Sequence, residues 1–321
     1  MNLINSISFS MPKVLISDSI NSIAKEVFEN NNIKVDVKID LSLSELLENI
    51  KNYDGLIVRS ATKVTKEIIE TGKNLKIIGR AGAGVDNIDL VCAKKNNIIV
   101  MNTPGGNTNA TAEHTFSLLL SLYRNIAEAN KSTHEGLWEK KKFKGLELKG
   151  KKLGLIGFGN VASRVSQIAK GFDLEVFTFS KSFEARKENY PDVKSIDLEE
   201  LITYSDIISF HCKLPIDGKP IINKSELHQM KKNAIIINTA RGNLINEIDL
   251  KEALENSVIL GAAIDVFSKE PAKDNILFGT KNLILTPHIA ASTFEAQFLV
   301  AQKIAKQISD FFGSGKVIND V

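Results

Sequence analysis

The stretch "KKLGLIGFGNVASRV" (residues 151–165) decides how the second half of this chain folds. Its apolar run predicts a buried strand, and the spacing after Gly159 predicts a helix. A second apolar run, "LEVFTFS" (174–180), completes a strand–helix–strand unit of about 30 residues. Gly157 permits the tight turn, Gly159 lets the backbone approach a pyrophosphate, and alanine, here Ala162, is tolerated in place of the third glycine. The sequence therefore predicts a dinucleotide-binding turn.

Strands and helices alternate along the whole chain. The predicted strands besides 174–180 are residues 13–18, 33–39, 55–60, 75–82, 97–102, 152–157, 206–211, 234–240, 258–265 and 283–288. Apolar strands that alternate with helices predict parallel sheets covered on both faces. A single long helix is predicted over 111–136, and another over 292–313.

This organisation predicts an α/β fold with two doubly wound parallel-sheet domains. One domain comprises residues 108–291, and the other is discontinuous, comprising 11–107 and 292–321, because the last helix follows the second sheet. Residues 1–10 precede the first convincing strand and are predicted to be a disordered extension.

Composition excludes several functional classes. Charged residues make up 25% of the 321, and the net charge of +3 is too small and too evenly distributed to indicate nucleic-acid binding. Neither a secretory signal nor an apolar stretch of the ~18–20 residues needed to span a bilayer is recognisable. Cys92 and Cys212 lack the spacing of a zinc site, so no metal is predicted. We expect a soluble cytoplasmic protein without membrane partners.

Polar side chains follow three apolar strands of the second set. Arg241 follows 234–237, Glu270 follows 258–264, and His288 follows "LIL". In a doubly wound sheet, ligands bind beyond the carboxyl ends of the strands, so these segments point to one crevice. Histidine can exchange a hydroxyl proton, a carboxylate can orient the imidazole, and arginine can bind a substrate carboxylate with two hydrogen bonds. The set predicts hydride transfer between a nicotinamide and an alcohol or ketone.

The chain also resembles a known family through a series of motifs. They include "VRSATKV", "GRAGAGVDNID", "NTPGGNTNATAEHTFSLLLSLYRNI", "INTARG", "GAAIDVFSKEP" and "LTPHIAASTFEAQ". In this order they resemble the D-isomer-specific 2-hydroxyacid dehydrogenases, most closely the phosphoglycerate dehydrogenase branch. The resemblance implies a Rossmann domain inserted into a flavodoxin-like substrate domain, a small 2-hydroxy or 2-oxo acid as substrate, and a homodimer. It further implies oxidation of 3-phospho-D-glycerate to 3-phosphohydroxypyruvate, which begins serine biosynthesis.

The resemblance also implies roles for individual residues. Arg241, Glu270 and His288 match the catalytic triad, and Asp265 matches a residue that holds the nicotinamide carboxamide. The remaining implied cofactor contacts are Gly157, Phe158, Gly159, Asn160, Val161, Ser180, Lys181, His211, Cys212, Pro215, Thr239, Ala240 and His288. The implied substrate contacts are Arg59, Ser60, Ala83, Gly84, Asn107, Lys141, Arg241 and Gln297. Ala83 and Gly84 would receive the carboxylate, and Arg59, Ser60, Gln297 and Lys141 the phosphate.

Several alternatives stay open at this stage. The basic run "KKKFKG" (140–145) fits a solvated loop as well as a phosphate contact, and His114 fits a structural residue better than a functional one. The protein could instead be a glyoxylate/hydroxypyruvate or D-lactate type reductase, which needs no phosphate site. It could also be a dinucleotide-sensing binding protein, although the intact triad argues against a purely binding role.

Two departures from the family pattern carry expectations of their own. The family usually has an aspartate at the end of the second strand of the dinucleotide-binding unit, whereas this chain has Ser180 and Lys181. We therefore expect NAD to be used, with weak or even reversed discrimination against NADP. The sequence runs to Val321, soon after its last predicted helix, so it resembles the short form that lacks a C-terminal regulatory domain.

Overall fold

The computed structural model describes residues 11–321, so the extension predicted over residues 1–10 lies outside the described residues. The strands are β1 (Lys13–Ile16), β2 (Lys34–Val37), β3 (Gly55–Val58), β4 (Ile77–Arg80), β5 (Ile99–Met101), β6 (Lys152–Ile156), β7 (Glu175–Phe179), β8 (Val193–Ser195), β9 (Ile207–Phe210), β10 (Ile235–Asn238), β11 (Gly261–Ile264) and β12 (Leu283–Leu285). The α-helices are α1 (Ile23–Asn30), α2 (Leu43–Ile50), α3 (Lys66–Thr71), α4 (Leu90–Lys95), α5 (Thr108–Tyr123), α6 (Ile126–His134), α7 (Asn160–Lys170), α8 (Leu198–Tyr204), α9 (Lys224–Gln229), α10 (Glu247–Glu255) and α11 (Phe294–Ser314). A 3₁₀ helix covers Glu184–Asn189.

The described chain divides into two compact units. The first comprises residues 11–107 and Thr293–Val321, and its parallel sheet has the order β2-β1-β3-β4-β5. Helix α11 packs on this sheet, where Ile304 and Ile308 join a buried apolar cluster. A Cβ atom at Gly79 of β4 would lie only 2.6 Å from Ile308 and 2.7 Å from Ile304, so the missing side chain lets α11 approach. The order reverses between β1 and β3, which is the flavodoxin-like switch point.

The second unit comprises Thr108–Ser292. Its parallel sheet has the order β12-β11-β10-β9-β6-β7-β8, so the direction of winding reverses between β6 and β9. Buried apolar side chains cover both faces, as a parallel sheet requires. The order beginning at β6 is that of a Rossmann sheet with one further strand at the edge. The predicted fold class is confirmed.

The prediction of one continuous helix over 111–136 is wrong, because two helices, α5 and α6, occupy this region. Asn125 interrupts the helix with a left-handed backbone at φ +54°. The carbonyl of Tyr123 accepts a hydrogen bond from the N–H of Leu146. Gly145 permits this approach, since a Cβ there would lie 2.7 Å from that carbonyl. The sequence pattern of a helix continues past Tyr123. The Tyr123 carbonyl, however, accepts its hydrogen bond from the distant Leu146 and not from the next turn of the same helix.

Within residues 11–321, none of the helices combines the length and the apolar character that crossing a membrane would require.

Candidate active site

The glycine turn joins β6 to α7 at the switch point of the second sheet. Gly157 has a φ of +92°, and a Cβ there would lie 2.6 Å from the carbonyl oxygen of His211. Gly159 begins α7 as its N-cap, and a Cβ there would meet no atom within 4 Å. The first glycine is therefore required by the fold, and the second leaves open space at a helix N-terminus. This arrangement suits the pyrophosphate of a dinucleotide.

The turn is held from behind by aromatic side chains. Phe158 is buried and makes edge contacts with the rings of Phe183 and Tyr190, at 4.7 and 4.9 Å between centroids. Arg186 donates from Nη1 to the carbonyl oxygen of Phe158 at 3.0 Å, and its guanidinium lies 5.7 Å from the Tyr190 ring. These contacts tie the turn to the segment after β7. Because the partners lie 28 residues apart, sequence reasoning missed Arg186.

The segment after β7 carries the residues expected to select the cofactor. Ser180 directly follows the strand, and its hydroxyl lies 3.2 Å from that of Ser182. Lys181 is exposed. Hydroxyl and ammonium groups thus follow the strand after which NAD-binding units commonly carry a carboxylate for the adenosine ribose, and their contact with a cofactor stays a prediction.

Two further predicted cofactor residues, His211 and Cys212, follow β9 beside the turn. Burial lowers the pKa of His211 to about 3, so its imidazole is neutral at physiological pH. Its Nε2 lies 2.9 Å from the hydroxyl of Ser209. Burial raises the pKa of the Cys212 thiol to about 11. Uncharged side chains therefore line this side of the turn.

The other predicted cofactor residues also lie in the second unit. Asn160 and Val161 begin α7, Thr239 and Ala240 follow β10, and Pro215 is in the loop after β9. The hydroxyl of Thr239 lies 3.0 Å from that of Thr115 on α5. The contacts of these residues with a cofactor stay predictions.

Arg241 lies in a turn after β10 that packs closely against the next loop. A Cβ at Gly242 would overlap the carbonyl group of Phe267, so only glycine allows this approach. The N–H of Phe267 in turn donates to Oε1 of Glu270 at 3.0 Å. Asn238 supports the turn by donating to the carbonyl of Arg241 at 2.8 Å. The loops that carry Arg241 and Glu270 are thus in direct contact, and Gly242 is a residue that sequence reasoning missed.

His288 and Glu270 form a direct pair, with 2.6 Å between Nδ1 and Oε2. Burial alone would raise the pKa of Glu270, but hydrogen bonds from His288 and from the N–H of Phe267 hold that pKa below its usual value. An ionised Glu270 accepts from Nδ1–H, which leaves Nε2 to exchange a proton with a substrate. The His288 side chain is 43% exposed, so solvent-borne molecules can reach it. The pair has the geometry of a general acid–base dyad.

Asp265 anchors the turn that carries His288. Its carboxylate is fully buried and accepts hydrogen bonds from the N–H groups of Ile289 and Ala290, both at 2.9 Å, and from the Thr286 hydroxyl at 2.6 Å. Its backbone carbonyl accepts from the N–H of His288 at 2.8 Å, where His288 has a φ of +54°. Burial alone would raise the pKa of Asp265, but its hydrogen bonds hold that pKa below its ordinary value. The carboxamide contact implied for Asp265 stays a prediction.

His114 of α5 also reaches this turn. Its Nε2 lies 3.2 Å from the Thr286 hydroxyl and 3.4 Å from Oδ1 of Asp265. The interpretation of His114 as a structural residue is compatible with this place, since it contacts the anchor of His288 rather than His288 itself. Nothing local in "AEHTF" could have indicated a partner so far along the chain, so the contact was not predictable.

Most of the predicted substrate residues lie in the first unit. Arg59 and Ser60 follow β3, Ala83 and Gly84 follow β4, Asn107 follows β5, and Gln297 is in the first turn of α11. All follow carboxyl ends of strands except Gln297, which begins a helix. Arg241 and the exposed Lys141 belong to the second unit. Their common role in binding one substrate stays a prediction.

Among residues 11–321, no three His, Cys, Asp or Glu side chains form a group that could hold a metal ion.

Comparison with known proteins decides the family. The family described as "D-isomer specific 2-hydroxyacid dehydrogenase, NAD binding domain" matches residues 116–290. The chain belongs to this family. The resemblance found in the sequence is thereby confirmed, and the glycine turn at residues 157–162 lies inside the matched NAD-binding domain.

Relatives and solved structures agree with this membership. A D-3-phosphoglycerate dehydrogenase of Archaeoglobus fulgidus is 41% identical over 297 residues, which is 92% of this chain and 56% of the relative. The TT0316 protein of Thermus thermophilus superposes with a TM-score of 0.89 at 30% identity, covering 96% of this chain and 99% of the other. An acyclic imino acid reductase solved with NADPH and D-Arg gives a TM-score of 0.86 at 31% identity, covering 96% and 99%.

Five of the curated relatives are longer than the part they share with this chain. The chain spans 54% to 58% of the length of those it matches.

Proposed function

We propose that this protein is a D-3-phosphoglycerate dehydrogenase that interconverts 3-phospho-D-glycerate and 3-phosphohydroxypyruvate, and so feeds serine biosynthesis. The observation that carries the chemistry is the His288–Glu270 pair at 2.6 Å beside the Arg241 turn. The choice of substrate is supported by relatives at about 40% identity that bear this name. It is supported further by Arg59 at the switch point of the first sheet.

The chain's own residues supply proton transfer and orientation. In the oxidation, His288 takes the proton of the substrate hydroxyl on Nε2, and Glu270 stabilises the imidazolium that forms. Arg241 offers two parallel donors to the substrate carboxylate and polarises the reacting oxygen. A bound nicotinamide dinucleotide supplies the hydride acceptor. In the reduction, His288 returns its proton to the developing alkoxide.

The residues of the second unit fit such a cofactor. Open space at Gly159 and the N-terminus of α7 suit a pyrophosphate, while Ser180 and Lys181 are at the expected place of the adenosine ribose. We propose that NAD is used and that discrimination against NADP is weak or reversed. Two cations support this, because Lys181 follows the strand end and Arg186 is hydrogen-bonded to the glycine turn.

Replacing Ser180 with Asp tests this cofactor preference. An aspartate would accept from the ribose hydroxyls of NAD and repel the 2′-phosphate of NADP. We expect the ratio of kcat/KM for NAD over NADP to rise at least about tenfold, which corresponds to about 1.4 kcal/mol. Steady-state kinetics with both cofactors measures it. Ser225→Asp on exposed α9 makes the same charge change elsewhere in the unit and should leave the ratio alone. A wild type that already rejects NADP by about a thousandfold would contradict the proposal.

Replacing Arg59 with Ala tests the phosphate contact. Only the phosphorylated substrate carries a dianion for this guanidinium. We expect kcat/KM for 3-phosphohydroxypyruvate to fall by at least about tenfold and that for hydroxypyruvate by less than about threefold. Lys25→Ala on α1 removes the same charge from a surface ion pair and serves as the control. Equal losses with both substrates would instead favour the general 2-oxoacid reductase.

We further propose that the protein works as a cytoplasmic homodimer. The segment after α6 exposes apolar side chains, with Leu137 47%, Trp138 87% and Leu146 37% accessible, and a second copy of the chain would cover them. Cys92 and Cys212 are free thiols, which suits a reducing compartment. Light scattering on the purified protein should give twice the chain mass of 35.3 kDa. A monomer at micromolar concentration would contradict the dimer.

A further inference from the structure

The first unit contains a buried carboxylate that the proposed reaction does not use. Asp18 follows β1, and its side chain is only 6% exposed. Its Oδ2 accepts from the backbone N–H of Arg59 at 2.6 Å, and its Oδ1 accepts from the hydroxyl of Thr62 at 2.5 Å and from the N–H of Thr62 at 3.1 Å. A buried charge that makes hydrogen bonds to one loop fixes the position of that loop.

The same loop is held from its carbonyl side by Asn87. Its Nδ2 donates to the carbonyl oxygen of Arg59 at 2.7 Å and to that of Thr62 at 2.6 Å. The Arg59 side chain is tied down as well, because Nη1 donates to the carbonyl of Ser19 at 3.1 Å. Both ends of the loop are therefore fixed by residues 25 to 44 positions away.

The residues between these fixed ends face solvent. Ser60 and Ala61 are both exposed. Within the part of the chain that the structure describes, neither of their backbone N–H groups donates a hydrogen bond. The loop thus carries two amide donors and the Ser60 hydroxyl directly after Arg59 in the chain. Such a set of donors suits an oxyanion with several acceptor oxygens.

The place of this loop in the sheet supports a binding role. β1 and β3 are neighbours at which the winding of the first sheet reverses, and ligands of open α/β sheets bind beyond the carboxyl ends at such a point. Asp18 follows β1, and Arg59 follows β3. The fixed loop therefore borders the crevice where a ligand of this unit is expected.

We propose that Asp18 and Asn87 are positioning residues, which hold the loop 59–62 so that Arg59, Ser60 and Ala61 meet the phosphate of the substrate. This rests on the proposed function for the identity of the ligand. The two residues bind no substrate themselves. They keep the donors in place before the ligand arrives, so that binding does not have to order the loop.

Asp18→Asn separates positioning from plain electrostatics by the sign of its effect. Removing a negative charge near an anion site favours the anion on Coulombic grounds alone and would lower KM for the phosphorylated acid. Positioning predicts the reverse, because the new amide donor opposes an N–H or hydroxyl of the loop. We expect KM for 3-phosphohydroxypyruvate to rise at least about tenfold, with kcat within about twofold and KM for hydroxypyruvate nearly constant.

Asn87→Ala is an independent test, since it removes the hydrogen bonds to the carbonyl groups of Arg59 and Thr62 without a change of charge. It should give the same split between the two substrates. Hydrogen–deuterium exchange of the Arg59 and Thr62 amides, whose N–H groups are the hydrogen-bonded ones of this loop, should accelerate in both variants. Asp36→Asn, which removes a carboxylate on β2 of the same sheet that contacts Lys13 and Tyr53, should change neither the exchange nor the two KM values.

Equal KM changes for both substrates, a lowered KM in Asp18→Asn, or unchanged exchange of the loop would overturn the positioning role. Failure of the proposed function looks different. In that case the wild type itself shows no preference for the phosphorylated acid. Faster amide exchange in the two variants would still show that Asp18 and Asn87 fix the position of the loop. The phosphate would then be overturned as the ligand.

Discussion

His288→Asn is expected to lower kcat by about 100- to 10,000-fold, because it removes the general acid–base that moves the hydroxyl proton. The reason lies in the pair with Glu270, where Nδ1 is engaged at 2.6 Å and Nε2 remains for the substrate. Asparagine can hydrogen-bond to the substrate oxygen but cannot take its proton at neutral pH. Single-turnover absorbance of the reduced cofactor measures the chemical step.

The control for this variant separates chemistry from folding. His228→Asn changes an exposed histidine on α9 whose Nδ1 lies 2.7 Å from the carbonyl oxygen of Lys224 in its own helix, and it should retain full activity. The dissociation constant for the reduced cofactor should stay within about twofold in His288→Asn, because His288 is one of many predicted cofactor contacts and three strands separate β12, which precedes it, from β6, which precedes the glycine turn. If His288→Asn kept most of its turnover, the proposed proton relay would be wrong.

Gly157→Ala is expected to lower the stability of the fold, whereas Gly159→Ala is expected to weaken cofactor binding. At Gly157 a methyl group meets both a φ of +92° and a carbonyl oxygen 2.6 Å away. We expect a loss of about 2 to 5 kcal/mol of unfolding free energy, from the left-handed backbone and the overpacking together. At Gly159 a methyl group has no neighbour within 4 Å, so stability should be almost unchanged.

Binding of the reduced cofactor should nonetheless weaken by at least about tenfold in Gly159→Ala, because the methyl group enters the space proposed for the pyrophosphate. Thermal unfolding and fluorescence titration of the same two variants provide the comparison. Gly313→Ala serves as a control, since it too meets no atom within 4 Å but lies in α11 of the other unit. A Gly159→Ala protein that binds the cofactor like the wild type would show that the dinucleotide lies elsewhere.

The fold and the outline of the site could be predicted from local patterns. Apolar runs such as 153–156 mark strands buried on both faces, and polar residues after them, such as Arg241 and His288, mark the carboxyl edge. The helix break at Asn125 could not be predicted, since it depends on a hydrogen bond from Leu146. For the same reason Asp18 and Asn87 escaped notice and the partners of His114 could not be predicted, because these contacts are brought together only by folding.

We propose that the active site acts on a phosphorylated 2-oxo acid. The most direct measurement is the ratio of kcat/KM for 3-phosphohydroxypyruvate to that for hydroxypyruvate in the wild-type protein, with NADH and NADPH each in turn. We expect a ratio of at least about 100 with the preferred cofactor, since a dianion held by an arginine and backbone donors contributes about 3 kcal/mol. A ratio near one, or no cofactor turnover with either acid, would contradict it.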